Sequence, residues 1–113
     1  MNLAAVDRAC MVLPGVTMVV QWGGANVYKV GPKVFAIAPN DGGLTVKVSE
    51  IAYEILIETG RAQSAPYLAR GGWAYFADLA PLDDAEVAGW LGSAHGMIAA
   101  RLTRKQRTDL GIG

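Results

Sequence analysis

Residues 16–48, VTMVVQWGGANVYKVGPKVFAIAPNDGGLTVKV, constrain the fold of this chain more than any other stretch. Four runs rich in Val, Ile, Phe and Tyr are separated by Gly, Pro, Asn and Asp. β-Branched and aromatic side chains suit a pleated surface and the separators supply turns, so the pattern predicts an antiparallel meander of hairpins. The runs fall at 16–21, 26–30, 33–38 and 44–48, with tight turns at Gly23-Gly24 and Gly31-Pro32 and a loop over 39–43. A type II′ turn at Gly31-Pro32 puts Gly where a positive φ is needed, and it pairs Val30 with Lys33 and Tyr28 with Phe35. That register predicts one bulky face of Tyr28, Val30, Phe35 and Ile37, to be covered by helices. The opposite face carries Val27, Lys29, Val34, Ala36 and Ala38.

Helices are expected on both sides of the meander. Leu3, Val6, Cys10 and Leu13 recur at three- and four-residue steps, which predicts a helix over 2–12 with Asn2 as its cap, stopped by Leu13-Pro14-Gly15. Ser49 is placed to cap a second helix whose Ile51, Ile55 and Leu56 point inward, and Gly60 ends it. Residues 65–70 read as a short extended piece and 73–79 as the last strand. Asp83-x-x-Glu86 resembles a capping box and opens a long helix to about residue 102. Thr103 starts a final turn, and 110–113 are expected to fray. The expected architecture is α+β, an antiparallel sheet of about five strands with helices packed on it. The 113 residues form one domain, 1–113, large enough to bury roughly 65% of the unfolded surface.

The long helix carries an unusual signal. From Val87 to Ala100 there is no Asp, Glu, Lys or Arg. At 100° per residue Val87, Trp90, Leu91, Ala94, Ile98 and Leu102 form a bulky stripe, and Ala85, Gly89, Gly92, Ser93, Gly96 and Ala100 a small-residue stripe almost opposite. Each helical Gly costs about 1 kcal/mol relative to Ala. The small stripe is therefore read as packing against another helix of this chain, as a homodimer seam at Gly89, Gly92 and Gly96, or as a weakly polar exposed face. Asp83, Asp84 and Glu86 at the helix start and Arg101, Arg104, Lys105 and Arg107 at or beyond its end follow the helix dipole.

The side chains give catalysis no foothold. Ten acidic and ten basic residues cancel, which counts against tight nucleic-acid binding unless the fold segregates the charges. His95 is the only histidine and Cys10 the only cysteine. No disulfide and no metal site are expected, and Cys10 reads as a core residue in a reducing cytoplasm. Glu50, Glu54 and Glu58 lie on one side of a helix and read as a solvated face. Gly23-Gly24 and Gly42-Gly43 lie between strands, outside the context of a phosphate-binding loop. The start of the chain is no signal peptide and no run is long enough to span a membrane. No enzyme activity and no cofactor are expected. Lys29 and Lys33 flank a hairpin turn, Lys47 lies on the fourth strand and Arg70 precedes Gly71-Gly72. With the basic C-terminal segment they make an electrostatic footprint if the fold gathers them. Trp22, Tyr67 and Trp73 lie near turns, where they cover the core or stack on bases.

Several segments, in order, resemble the MmcQ/YjbR family of small bacterial proteins. They are Leu13-Pro14-Gly15-Val16, Val27-Tyr28-Lys29-Val30-Gly31-x-Lys33-Val34-Phe35-Ala36, Leu44-Thr45-Val46-Lys47-Val48, Ala65-Pro66-Tyr67-Leu68 before Trp73, and Leu102-x-x-Lys105. The resemblance implies a CyaY-like fold and a "double-wing" DNA-binding module, with no iron site, since the first helix has only Asp7 as an acid. Members of that family carry a Lys-rich segment before the Trp, where this chain has Ala69-Arg70-Gly71-Gly72, and a Ser-Tyr pair where it has Ser93-Ala94. The expected function is weak, salt-sensitive, non-enzymatic DNA binding through Lys29, Lys33, Lys47, Arg70, Arg104 and Lys105. The alternative is a protein-interaction or homodimeric module that uses Gly89, Gly92 and Gly96.

Overall fold

The computed structural model describes residues 1–65 and 72–112. In chain order the elements are α1 (Leu3–Met11), β1 (Val16–Gln21), β2 (Ala25–Val30), β3 (Lys33–Ala38), β4 (Leu44–Lys47), α2 (Glu50–Glu58), β5 (Gln63–Ser64), β6 (Trp73–Phe76), α3 (Asp84–Ala99) and α4 (Arg104–Asp109). The strands form one antiparallel sheet in the order β1-β2-β3-β4-β6-β5. The sixth strand is the two-residue β5, just before the piece expected at 65–70. Most of that piece, with Tyr67 and Arg70, lies outside the described residues. The last strand stops at Phe76 rather than 79.

Local capping sets where the helices begin. The side chains of Asn2, Ser49, Asp83 and Thr103 accept hydrogen bonds from the backbone N–H of Ala5, Ala52, Glu86 and Gln106 respectively. Each satisfies a donor that the first turn leaves without a partner. At α4 the box is reciprocal, because Gln106 Oε1 also accepts from Thr103 N.

The two-residue turn at Gly31-Pro32 has Gly31 at φ +57° and pairs Val30 with Lys33, as the sequence predicts. The register then shifts between Tyr28 and Lys29, so that Tyr28 opposes Ala36, and Val27 opposes Ile37. A bulge inserts one residue and reverses the alternation beyond it. Phe35, Ala36 and Ala38 therefore join Tyr28 and Val30 in the main core, while Ile37 packs with Ala25, Val27 and Val34 on the other face. This corrects the expected placement of Ile37, Ala36 and Ala38.

Three helices bury side chains in the core on the Tyr28 face, Val6 and Cys10 from α1, Leu56 from α2, and Val87, Leu91 and Ile98 from α3, and Leu110, just after α4, packs against it. Trp90 stacks on Phe76 with centroids 4.7 Å apart. Leu110 and Ile112 do not fray. They pack against Gly15, where a Cβ would lie 3.0 Å from Leu110 Cβ, and Ile112 N donates to Arg107 O. On α2 only Leu56 is buried, whereas Ile51 and Ile55 are 72% and 54% exposed. The helix is apolar on more than one side, and the side carrying Ala52, Tyr53 and Leu56 packs against the core.

Candidate nucleic-acid interface

Because neighbouring strands are antiparallel, the chain delivers different segments to the same two ends of the sheet. β2 ends and β3 begins at the Gly31-Pro32 turn. β4 ends beside the start of β6, where Lys47 pairs with Trp73. α3 runs back from the far end, so its C-terminus and α4 return to this one, where Leu102 and Leu110 lie over Gly31. This end gathers Lys29, Lys33, Lys47, Arg101, Arg104, Lys105 and Arg107. Among the described residues its carboxylates are Glu50, the first residue of α2, and Asp109, the last of α4.

Lys33, Arg101, Arg104 and Lys105 are exposed, and Lys29 is half-buried. Arg107 turns back on α3, with Nη1 donating to Leu102 O at 3.4 Å and to Ala100 O at 3.5 Å. Those are carbonyls at the negative end of a helix. Lys47 is the unusual cation, only 7% exposed. Its ammonium is seated by Gly72, whose φ is +75° and whose O accepts from Val48 N at 2.8 Å. A Cβ on Gly72 would stand 2.7 Å from Val48 O and 3.1 Å from Lys47 Nζ. Burial and the nearby Arg101 hold the Lys47 ammonium below the ordinary lysine pKa, with Glu50 partly opposing them. Burial disfavours the charged form and a second cation adds repulsion.

The opposite end carries Asp41, Asp78, Asp83, Asp84 and Glu86, and each makes an internal contact. Asp41 accepts from Tyr75 Oη at 2.7 Å and from Gly43 N at 2.9 Å, which holds its carboxyl below the ordinary value. Asp78 accepts from Ala80 N, and Asp83 caps α3. Asp84 pairs with the Met1 ammonium at 3.0 Å, and Glu86 takes both guanidinium arms of Arg61.

The expected basic set is thus largely brought together: Lys29, Lys33, Lys47, Arg104 and Lys105 share one end, and Arg70 lies outside the described residues. The aromatics are separated. Trp22, 66% exposed and at φ +51°, tips the β1–β2 hairpin at the acidic end, whereas Trp73 is half-buried beside Lys47. The seat that Gly72 makes for Lys47 could not be read from sequence, since Gly-Gly before a strand signals only a turn.

Among the described residues the small-residue stripe of α3 does not pack on another helix: added Cβ atoms at Gly89, Gly92 and Gly96 would meet nothing within 4 Å. Beside it a groove of about 180 Å³ separates α2 from α3, lined by Ala52, Trp90, Ser93 and Met97 among others.

The single histidine and cysteine are structural. His95 Nε2 lies 2.7 Å from Pro14 O, and its ring meets Phe35 edge-on. Cys10 is fully buried, and burial with Asp7 nearby pushes its thiol up to about 12, away from a nucleophilic thiolate. Glu50, Glu54 and Glu58 are exposed. Among the described residues no His, Cys, Asp and Glu side chains converge as metal ligands, and no helix is long and apolar enough to cross a membrane.

The family model named YjbR matches residues 11–97. The crystal structure of Deinococcus radiodurans protein DR2400, with a DUF419 domain, superposes with a TM-score of 0.84 at 17% identity, covering 99% of this chain and 89% of that one. That likeness concerns the fold. A search of curated proteins found no significant match.

Proposed function

The chain belongs to the YjbR family, and from that premise we propose that it is a weak, non-enzymatic DNA-binding module whose contact surface is the basic end of the sheet. The carrying observation is the charge segregation. A chain of zero formal charge, with ten basic side chains, gathers seven of them at one end of the sheet, with Glu50 and Asp109 among them, and pairs or caps Asp41, Asp78, Asp83, Asp84 and Glu86 at the other. Phosphate attraction depends on the local field rather than the net charge. Lys33, Arg104 and Lys105 meet the backbone first because they are exposed. Lys29 and Lys47 lie behind them on the sheet.

Fluorescence anisotropy with a labelled random duplex tests this reading. Five phosphate contacts correspond to a slope of about −4.5 in log affinity against log salt, or roughly a 500-fold loss between about 50 and 200 mM. Lys33→Glu with Lys105→Glu should abolish low-salt binding, while Asp78→Asn leaves it intact. Absence of binding at about 50 mM salt would sink the proposal.

A second reading is favoured by the outer side of α3. The open glycine stripe, the groove beside it and the exposed Ile51 and Ile55 of α2 offer both a recess and a projection on one surface, as a two-fold homodimer requires. Sedimentation showing a dimer that Gly92→Leu dissociates would support it. A monomer at high concentration would remove it.

A further inference from the structure

The sheet ends differently at its two edges. On one side the last strand is β5, two residues long, and so short an edge offers little to pair with. On the other side it is β1, six residues, VTMVVQ, about 20 Å of extended chain. β1 holds no charge and no proline, two of the devices that keep an edge from pairing. It bonds to β2 along one side, and among the described residues nothing pairs with its outer side. Every second residue of β1 therefore turns a backbone N–H and C=O outward.

Apolar side chains gather along this edge. Among the large hydrophobic residues left exposed, Val19 and Val20 lie on β1, Met11 and Val12 just before it and Trp22 just after it. Trp22 is held at φ +51°, an uncommon conformation for so bulky a residue, with its indole largely in solvent. Val16 and Met18 rest against the main core, while Val19 stands opposite Val27 on the other face. The strand is thus apolar on both faces.

The occupant that fits is β1 of a second copy. A two-fold axis normal to the sheet sets the two strands antiparallel, each residue opposite one on the same face. With Val19 on the axis, Val19 opposes itself, Val20 opposes Met18 and Gln21 opposes Thr17. Trp22 comes level with Val16, close in the chain to the exposed Met11 and Val12. No charged residue of either strand meets a like charge. Charge also sets the direction. β1 starts at the basic end of the sheet, where Val16 pairs with Val30, and runs to the acidic end. Antiparallel pairing lays the basic end of each sheet beside the acidic end of the other, and parallel pairing would set like beside like.

We propose that the β1 edge pairs with β1 of a second copy, joining two six-stranded sheets into one. The surface is separate from the outer side of α3, and the inference depends on neither reading above.

Sedimentation equilibrium of the intact chain up to about 200 μM, a range that detects micromolar pairing, tests it. The expected result is a dimer. Val19→Lys and Val20→Lys should each weaken it roughly 10-fold or more, because each sets like charges across the seam. Circular dichroism confirms that the variants are folded, and the greater exposure of Val20 makes its variant the safer of the two. Cross-linking fixes the register. Opposed Cα atoms of an antiparallel pair lie about 4.5–5.5 Å apart, within disulfide reach. Under mild oxidation Val19→Cys should link to itself, while Thr17→Cys and Gln21→Cys should link only when mixed. The wild type, whose one cysteine is buried, should stay unlinked. A monomer throughout, or a dimer that both lysine variants leave intact, overturns the proposal. If Gly92→Leu alone dissociates the dimer, the seam lies on α3 and the β1 pair falls. A monomer that binds a labelled peptide of residues 15–22, and loses it in Val20→Lys, overturns the second copy as occupant and assigns the edge to a foreign strand.

Discussion

The two ends of the sheet hold charges of opposite sign and treat them differently. At the acidic end Asp41, Asp78, Asp83, Asp84 and Glu86 are each engaged by a backbone N–H, a hydroxyl or a cation of the same chain. At the basic end Arg107 turns back on α3 carbonyls, while Lys33, Arg101, Arg104 and Lys105 project into solvent. Both ion pairs found among the described residues lie at the acidic end. Charges satisfied internally serve the fold and leave little attraction for a partner. Charges left projecting add field at the surface and little stability, since exposed ions gain almost nothing from weak contacts.

The largest effect that would sharpen the contrast is expected at Gly72. A methyl group there would meet Val48 O at 2.7 Å in a backbone already at φ +75°, so Gly72→Ala should lower the unfolding free energy by about 2–4 kcal/mol. Gly23 at the acidic end has φ +78° but open space around it, and Gly23→Ala should cost only about 1 kcal/mol. Urea midpoints measure both, and equal losses would mean that the seat under Lys47 is not a tight one.

A smaller effect is expected from the charges themselves. Asp83→Ala removes the α3 cap and should cost about 1 kcal/mol, while Lys33→Ala should change stability by less than about 0.5 kcal/mol. A comparable loss for Lys33→Ala in thermal melts would break the comparison, because a basic-end cation would then be structural.

The smallest effect lies in acid. Asp41 is held below its ordinary value of 3.8 by the Tyr75 hydroxyl and Gly43 N–H. A folded-state pKa below the unfolded one stabilises at pH above the unfolded value, and the contribution fades as pH falls through the folded value. Solvent screens this exposed carboxylate, so the contribution is well under about 1 kcal/mol. Tyr75→Phe should return the Asp41 titration, followed by carbon NMR, toward 3.8. An unchanged titration would show that Gly43 N–H alone holds the carboxylate.

Much of the fold was legible because its signals act over two to four residues. Asn2, Ser49 and Asp83 read as caps, and each accepts the backbone N–H three residues on. The Gly31-Pro32 turn and the pairing of Val30 with Lys33 are equally local. The bulge at Phe35, between the Lys29–Val34 and Tyr28–Ala36 pairs, was not legible. An apolar run such as Val34-Phe35-Ala36-Ile37-Ala38 can be threaded with either parity, and Phe35 and Ala36 both enter the core. Nor could α2 announce its buried side, because Ile51 and Ile55 are as apolar as Ala52 and Leu56.

Five of the candidate cations were recognisable as types, and their company was not. The residues alone determined the element types, the caps, the Gly31-Pro32 turn with its Val30–Lys33 pair and the two stripes of α3, because these depend on neighbours a few positions away. Only the tertiary structure decided that Lys29, Lys33, Lys47, Arg104 and Lys105 share an end, that Trp73 belongs with them while Trp22 does not, and that the glycine stripe faces solvent. Those outcomes follow from strand direction, one bulge and the side on which each helix packs. Their energies are spread over contacts distant in the chain, and no local run of residues encodes them.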